Sequence, residues 1–216
     1  MKNNFSRALL VAAGLCLLCS GAWAGEGGMA PVINGAQQVA QYNYAIHILA
    51  MLLVGFGFLM VFVRKYGYGA TTGTYLVVAV GLPFYVLLRA SGILCGDPIS
   101  PNTINALLYA EFAVAAVLIA MGAVLGRLRV FQYALLSLLL VPAYLLNEWL
   151  VLNGGLGATR GFVDTAGSIT IHAFGAYFGI GLTLLLTTAL HRGQPIQSDA
   201  ASDRFAMIGS MVLWLF

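Results

Sequence analysis

The chain has 216 residues, of which 61% are hydrophobic and only 8% are charged, and its formal net charge is +3. A soluble domain carries about 25% charged residues, so this composition excludes an ordinary soluble fold. The cations lie at the ends of apolar runs and form no basic stripe, which argues against nucleic acid as a partner.

The first 24 residues have the pattern of a cleaved signal peptide. Lys2 and Arg7 precede an apolar stretch over residues 8–18, and the segment ends in Ala22-Trp23-Ala24. The alternative is an uncleaved first span, but the apolar core is short for one, since a span needs about 20 residues. We therefore predict a signal peptide over residues 1–24.

The cysteines exclude two classes of site. Cys16 and Cys19 fall in the leader, and Cys95 is the one that remains. We therefore expect neither a disulfide framework nor a cysteine-based metal site, and no cofactor or enzyme motif is apparent elsewhere.

Residues 25–216 contain apolar runs long enough to cross about 30 Å of hydrocarbon as helices. The predicted spans are 42–63, 74–90, 104–126, 130–152 and 166–190, and a sixth begins near Phe205. Lipid admits only helices or closed barrels, and these runs lack the two-residue alternation of a barrel strand. The sequence predicts an all-α, polytopic transmembrane bundle of five helices and the start of a sixth.

The cations predict how these helices are oriented. With the leader removed and the mature N-terminus outside, six cations lie at cytoplasmic ends: Arg64, Lys65, Arg127, Arg129, Arg192 and Arg204. Only Arg89 and Arg160 fall on the other side. This bias obeys the positive-inside rule, so we expect a multi-pass protein of the inner (plasma) membrane with a periplasmic or extracellular N-terminus.

The last apolar segment, from Phe205 to Phe216, is 12 residues long. As a helix it would reach about 18 Å, too short for the hydrocarbon core. We therefore expect the sequence to be the N-terminal part of a longer protein.

Few polar residues lie inside the spans, and each is costly there. His172 sits about six residues into the fifth span, where desolvation favours a neutral imidazole that can donate and accept hydrogen bonds. Its alternative role is a packing residue. Asp164 begins the same span, where it can cap the helix or contact a cation directly.

Glu148 and Phe112 have two interpretations each, and a glycine pair has one. Glu148, at the outer end of the fourth span, can line a cation-concentrating vestibule or lie among headgroups. Phe112 can face lipid or close a pore. Gly175 and Gly179 form a GxxxG pattern that permits close helix packing.

The residues from Asp164 to Gly179 closely resemble the fifth-span signature of the ammonium transporter/Rhesus family, on its Rhesus side. Residues 54–60, 122–126 and 202–209 resemble further family motifs, in the same order. The resemblance covers nearly all of the chain after the leader. It implies the first half of an eleven-helix inverted-repeat fold, assembled as a homotrimer with one pore per subunit.

The resemblance also assigns roles to residues. It implies that His172 is the first of two facing pore histidines, Asp164 the essential outer aspartate, Phe112 the first of two gate rings and Glu148 the vestibule glutamate. Ammonium would lose its proton near the gate and cross as ammonia, while carbon dioxide stays open as a second gas. The partner residues of the second gate ring and second histidine lie beyond this sequence.

Two rival hypotheses remain open. One is a haem-carrying membrane subunit that uses His47 and His172 as axial ligands. The other is a non-transporting half-module.

Overall fold

The computed structural model describes residues 35–94, 96–157, 159, 161–187 and 197–216, so the predicted signal peptide, Cys95, Arg160 and Arg192 lie outside the described residues. The described part is built from helices and contains no strand. The six principal helices are α1 (Gly35–Phe62), α2 (Gly67–Ser91), α3 (Ile104–Gly122), α4 (Val130–Val151), α5 (Thr165–Leu186) and α6 (Ala200–Leu215). Helices α1 to α5 are long and apolar enough to cross a membrane, which confirms the all-α membrane fold.

Helix α2 begins at Gly67, seven residues before the predicted start at 74. The added turns are rich in glycine and threonine, so their low hydropathy hides the helix. The threonine hydroxyls are bonded to helix carbonyls: Thr72 donates to Tyr68 at 2.9 Å and Thr74 to Ala70 at 3.1 Å. Because these hydroxyls are satisfied within the helix, a polar segment can extend an apolar span.

Helix α6 begins at Ala200 rather than near Phe205, because a capping box precedes the apolar run. The Asp199 carboxylate accepts the Ser202 N–H at 2.8 Å, and the Ser202 hydroxyl accepts the Asp199 N–H at 2.9 Å. These bonds satisfy N–H groups that the first turn of a helix leaves without partners.

The start of α1 and the end of α3 also differ from the predicted bounds. Helix α1 begins at Gly35 instead of 42, and α3 ends at Gly122 instead of 126. Beyond α3 the chain continues in turns to Gly126, whose φ of 74° and close approach to the Tyr66 ring suit only glycine.

Helix α3 is the centre of the bundle and packs against α1, α2, α4 and α5. Its buried positions are mostly small or β-branched, including Ala113, Val114 and Val117, each fully buried. Helix α6 packs instead on the second half of α1, where Gly209 closely approaches the backbone of Gly55 and Leu59.

Gly175 and Gly179 bring α5 against α3, as the GxxxG pattern predicts. A Cβ atom at Gly175 would lie 2.7 Å from the Ala116 carbonyl oxygen, and one at Gly179 would lie 2.9 Å from the Ala123 Cβ. The two backbones are therefore as close as helices with small residues allow.

Candidate functional site

The N-terminal end of α5 departs from α-helical geometry. It begins with a 3₁₀ turn over Thr165–Gly167, continues as a π-helix over Ser168–Ala173 and becomes α-helical at Phe174. The preceding turn holds Ala166 and Gly167 at φ of 55° and 66°. Single π turns within helices are frequent at functional sites, and His172 lies in this one.

The Asp164 carboxylate ties this π turn to the preceding chain. It accepts the N–H groups of Ile169 at 3.0 Å and Thr170 at 2.8 Å, and the Thr170 hydroxyl at 2.6 Å. Gly167 occupies the N-cap position of the π-helix, so Asp164 supplies the capping oxygens from outside the helix. Asp164 therefore satisfies N–H groups in the first turn of the π-helix without occupying its N-cap position.

These hydrogen bonds also set the ionisation of Asp164. Partial desolvation alone would raise the pKa of the carboxyl, but the bonds from the Thr170 hydroxyl and the backbone N–H groups outweigh it. The net effect holds the pKa of Asp164 below its ordinary value of 3.8. The N-terminal end of α5 thus carries a negative charge at neutral pH.

His172 is exposed on α5, where its exposed neighbours are mostly apolar but include Ser168 and Tyr177. Ile169, Ala176 and Ile180 are exposed at helical spacing around it. The His172 Nδ1 lies 3.2 Å from the Gly167 carbonyl oxygen. In the tautomer that carries the proton on Nδ1, the ring donates to this carbonyl and Nε2 keeps a free lone pair.

Glu148 is buried between α4 and α2. Its Oε2 accepts the Tyr85 hydroxyl at 2.9 Å and the Arg89 Nη1 at 3.2 Å, and the Arg89 and Glu148 side chains are 9% and 6% exposed. The carboxylate therefore does not line an open vestibule in the described part of the chain. Sequence reasoning did not pair these residues, although Arg89 was visible as a cation on the minority side of the charge bias.

Phe112 is half-buried on α3, and its ring meets Tyr44 of α1 edge to face, with centroids 6.2 Å apart. The adjacent Glu111 is fully buried, and its carboxylate has no hydrogen-bond partner among the described residues. His47, the other histidine in the described part, contacts the Phe216 ring at 5.2 Å between centroids.

The structure therefore gathers part of the predicted set. Asp164 and His172 share the π turn, and α4 reaches the same turn through Asn147, whose Nδ2 donates to the Thr170 carbonyl at 3.0 Å. Phe112 instead contacts α1. No group of three histidine, cysteine, aspartate or glutamate side chains suited to a metal occurs among the described residues.

The sequence profile of the ammonium transporter family matches residues 7–216. The ammonium transporter Rh type B of Bos taurus is 39% identical over 180 residues, which cover 77% of this chain and 36% of that protein. The ammonium transporter Rh type C of Xenopus laevis is 34% identical over 180 residues, covering 79% and 35%.

A solved structure of a Rhesus-family protein is also similar to this chain. Nitrosomonas europaea Rh50, described as one of the Rhesus protein family of channels, is 72% identical and superposes with a TM-score of 0.83. The match covers 85% of this chain and 48% of that one. The chain thus spans between about a third and a half of the length of these relatives.

Proposed function

This chain belongs to the ammonium transporter family, on its Rhesus side, and we propose that it forms one wall of a pore that conducts ammonium as ammonia. The observation that carries the proposal is His172, an exposed imidazole on a mostly apolar face of α5, with its Nδ1 at hydrogen-bond distance from the Gly167 carbonyl. The family is one of transporters, and we propose no enzymatic activity and no cofactor.

The chemistry of this face favours ammonia over cations. The free lone pair of Nε2 can accept an N–H from ammonia, while the surrounding aliphatic side chains offer a cation no replacement for its water shell. Ammonium can enter by giving up a proton, whereas potassium cannot lose its charge and meets the full desolvation penalty. The same face would also admit carbon dioxide.

Asp164 and Phe112 act at the outer side of this proposed route. The lowered pKa of Asp164 keeps it anionic, so it adds negative potential at the mouth while it caps the π turn. Phe112 is proposed as a gate ring. For Glu148 we propose neither of its two predicted roles but a structural one, because its carboxylate is buried against Arg89 and Tyr85.

We place the protein in the inner (plasma) membrane with its mature N-terminus outside, as a homotrimer with one pore per subunit. The orientation rests on the charge bias and the assembly on the Rhesus relationship. The second wall of each pore is proposed to come from the region that the longer relatives have in addition.

Uptake of labelled methylammonium tests this function. The longest natural coding sequence that contains these residues, and the 216-residue chain alone, are expressed in cells that lack their own ammonium uptake. The proposal expects uptake from the former that excess ammonium competes away. Absence of uptake from a correctly inserted protein would contradict it, and equal uptake from the 216-residue chain would show that the second wall is not required.

A further inference from the structure

The π turn of α5 leaves one backbone carbonyl outside the regular helical pattern. The Phe174 N–H donates to the carbonyls of Ile169 and Ile171, five and three residues earlier, and passes over Thr170 at the α-helical distance of four. The Asn147 side-chain amide, on α4, donates to that Thr170 carbonyl at 3.0 Å. A side chain from another helix therefore occupies the acceptor that an α-helix would fill from within.

Burial makes this bond important for the register of the helix. Thr170 is 2% exposed, and a buried carbonyl without a partner is costly. Without the Asn147 amide, the most direct way to satisfy the carbonyl is the α-helical bond from Phe174, which would remove the π turn. Asn147 thus stabilises the π register against the α register.

The register decides where His172 points. The π turn accommodates one residue more than an α-helical turn does. One residue of α-helix corresponds to about 100° of rotation and 1.5 Å of rise, so a return to the α register would rotate and shift the imidazole by about these amounts relative to α3. The second half of α5 would not move with it, because Gly175 and Gly179 are held tightly against α3.

Helix α4 can fix the π register of α5 because the rotation of α4 about its own axis is itself fixed by contacts next to Asn147. Glu148, next to Asn147, is held by Arg89 and Tyr85 of α2. Tyr85 in turn meets Tyr144 of α4 edge to face, and Tyr144 meets Phe174 of α5 in the same way, with centroids 6.0 Å apart. The amide is therefore presented from a rigid surface.

We propose that Asn147 is a positioning residue that holds the π turn of α5, and with it the orientation of the His172 ring toward the transported molecule. The role rests on the proposed function of His172 as a pore residue. It assigns to Asn147 no contact with ammonium or ammonia.

Asn147→Asp tests the role with almost no change of shape, because it replaces the amide donor by an acceptor that faces the Thr170 carbonyl. Asn153→Asp is the matched control, since it makes the same change at an exposed residue just beyond α4. Asn147→Gln keeps a donor on a longer arm. The full-length protein is purified for each variant, and ammonia flux per folded molecule is measured in proteoliposomes together with a structure of the Asn147→Asp protein.

The expected result is a loss of flux of about tenfold to a hundredfold in Asn147→Asp, since misplacement of a working group by about 1 Å can cost about a hundredfold in rate. The variant structure should show Phe174 donating to Thr170. Asn153→Asp should conduct normally, and Asn147→Gln should recover part of the flux. If Asn147→Asp fails to fold, the inference then stands on Asn147→Gln, which must keep the π turn in its structure and must conduct.

The inference is overturned if the structure of Asn147→Asp keeps the π turn, or if this variant loses the π turn and still conducts normally while His172→Ala does not. Loss of folding in both Asn147 variants also overturns it, because the residue then serves general stability. A His172→Ala protein measured beside them separates the two proposals. If that protein conducts with unchanged rate and selectivity while Asn147→Asp loses the π turn, the pore role of His172 fails and the structural role of Asn147 survives.

Discussion

Glu148 and Arg89 form a buried ion pair that joins α4 to α2 near the C-terminal ends of both helices. Removing one member leaves the other charge buried without its partner, which costs about 3–5 kcal/mol in comparable pairs. We expect Glu148→Gln and Arg89→Met each to lower the thermal unfolding midpoint in detergent strongly. The double variant should recover much of the loss, and Arg129→Met, at an exposed position, should change little. Additive losses in the double variant would contradict the pairing.

Asp164 gives a prediction that depends on pH. Its folded pKa lies below 3.8, so its bonds stabilise the fold above the unfolded pKa, and that contribution is lost as pH falls through the lower, folded value. The unsubstituted protein should therefore lose stability on acidification to below about pH 4 more steeply than Asp164→Asn, which cannot titrate. Unfolding midpoints measured against pH test this, and parallel curves would count against it.

Asp164→Asn and Asp164→Ala should also differ from each other at neutral pH. The asparagine keeps one oxygen for the N–H groups of Ile169 and Thr170, whereas alanine keeps none. We expect Asp164→Ala to cost about 1–2 kcal/mol more in unfolding free energy, the usual effect of a lost cap. Equal unfolding midpoints for the two variants would contradict the capping role.

The sequence suggests roles for single residues more readily than it predicts which residues contact each other. The roles suggested for His172 and Asp164 follow from their rarity in an apolar span and from the family motif. The partnerships of Arg89 with Glu148, and of Asn147 with Thr170, depend on the relative rotation of two helices. The spacing of residues within one segment does not determine that rotation. The one hint was that Arg89 falls on the side of the membrane where the charge bias predicts few cations, which suggested a buried partner.

Helix α5 carries two kinds of glycine, and they should respond oppositely to the same substitution. Gly175 contacts α3 so closely that a methyl group overlaps Ala116 and Ile119, while Gly181 has no neighbouring atom within 4 Å of such a group. We expect Gly175→Ala to destabilise the protein by about 1–3 kcal/mol through overpacking. Gly181→Ala should be neutral or stabilising by up to about 1 kcal/mol, because alanine favours a helix. Unfolding midpoints that move in the same direction would contradict this packing.

The sequence predicts the existence of each helix and several of the helix ends to within one residue, but it misses the starts of α1, α2 and α6. Hydropathy detects the lipid-facing middle of a span, and it misses turns whose polarity is satisfied locally. The threonine hydroxyls at the start of α2 and the Asp199 cap of α6 are two such cases. The π turn of α5 lies inside a correctly predicted helix, and its register depends on contacts from outside that helix.

Across the whole molecule, several helix ends predicted to share the cytoplasmic face are joined by direct contacts. The Arg64 N–H donates to the Gln197 carbonyl at 3.2 Å, and its Nε lies 3.1 Å from the Asp199 carboxylate, which links the end of α1 to the start of α6. Arg127 donates to the Thr183 hydroxyl at 3.1 Å and so links the ends of α3 and α5. The Arg89–Glu148 pair lies near the opposite ends of the helices.

Cysteine labelling tests the orientation of this arrangement. In a Cys95→Ser protein, single cysteines replace Asn102, in the loop between α2 and α3, and Ser198, just before α6. An impermeant thiol reagent added to spheroplasts should label position 102 and should reach position 198 only after lysis. The reverse pattern would contradict an external N-terminus.

The most direct test of the central claim is the flux of ammonia and of potassium through purified full-length protein in proteoliposomes, with and without His172→Ala. The account predicts that the unsubstituted protein conducts ammonia and excludes potassium. Its His172→Ala variant, folded and assembled as before, should lose ammonia flux or admit potassium. Unchanged ammonia flux and unchanged exclusion of potassium in that variant would contradict the claim that α5 lines the pore with His172.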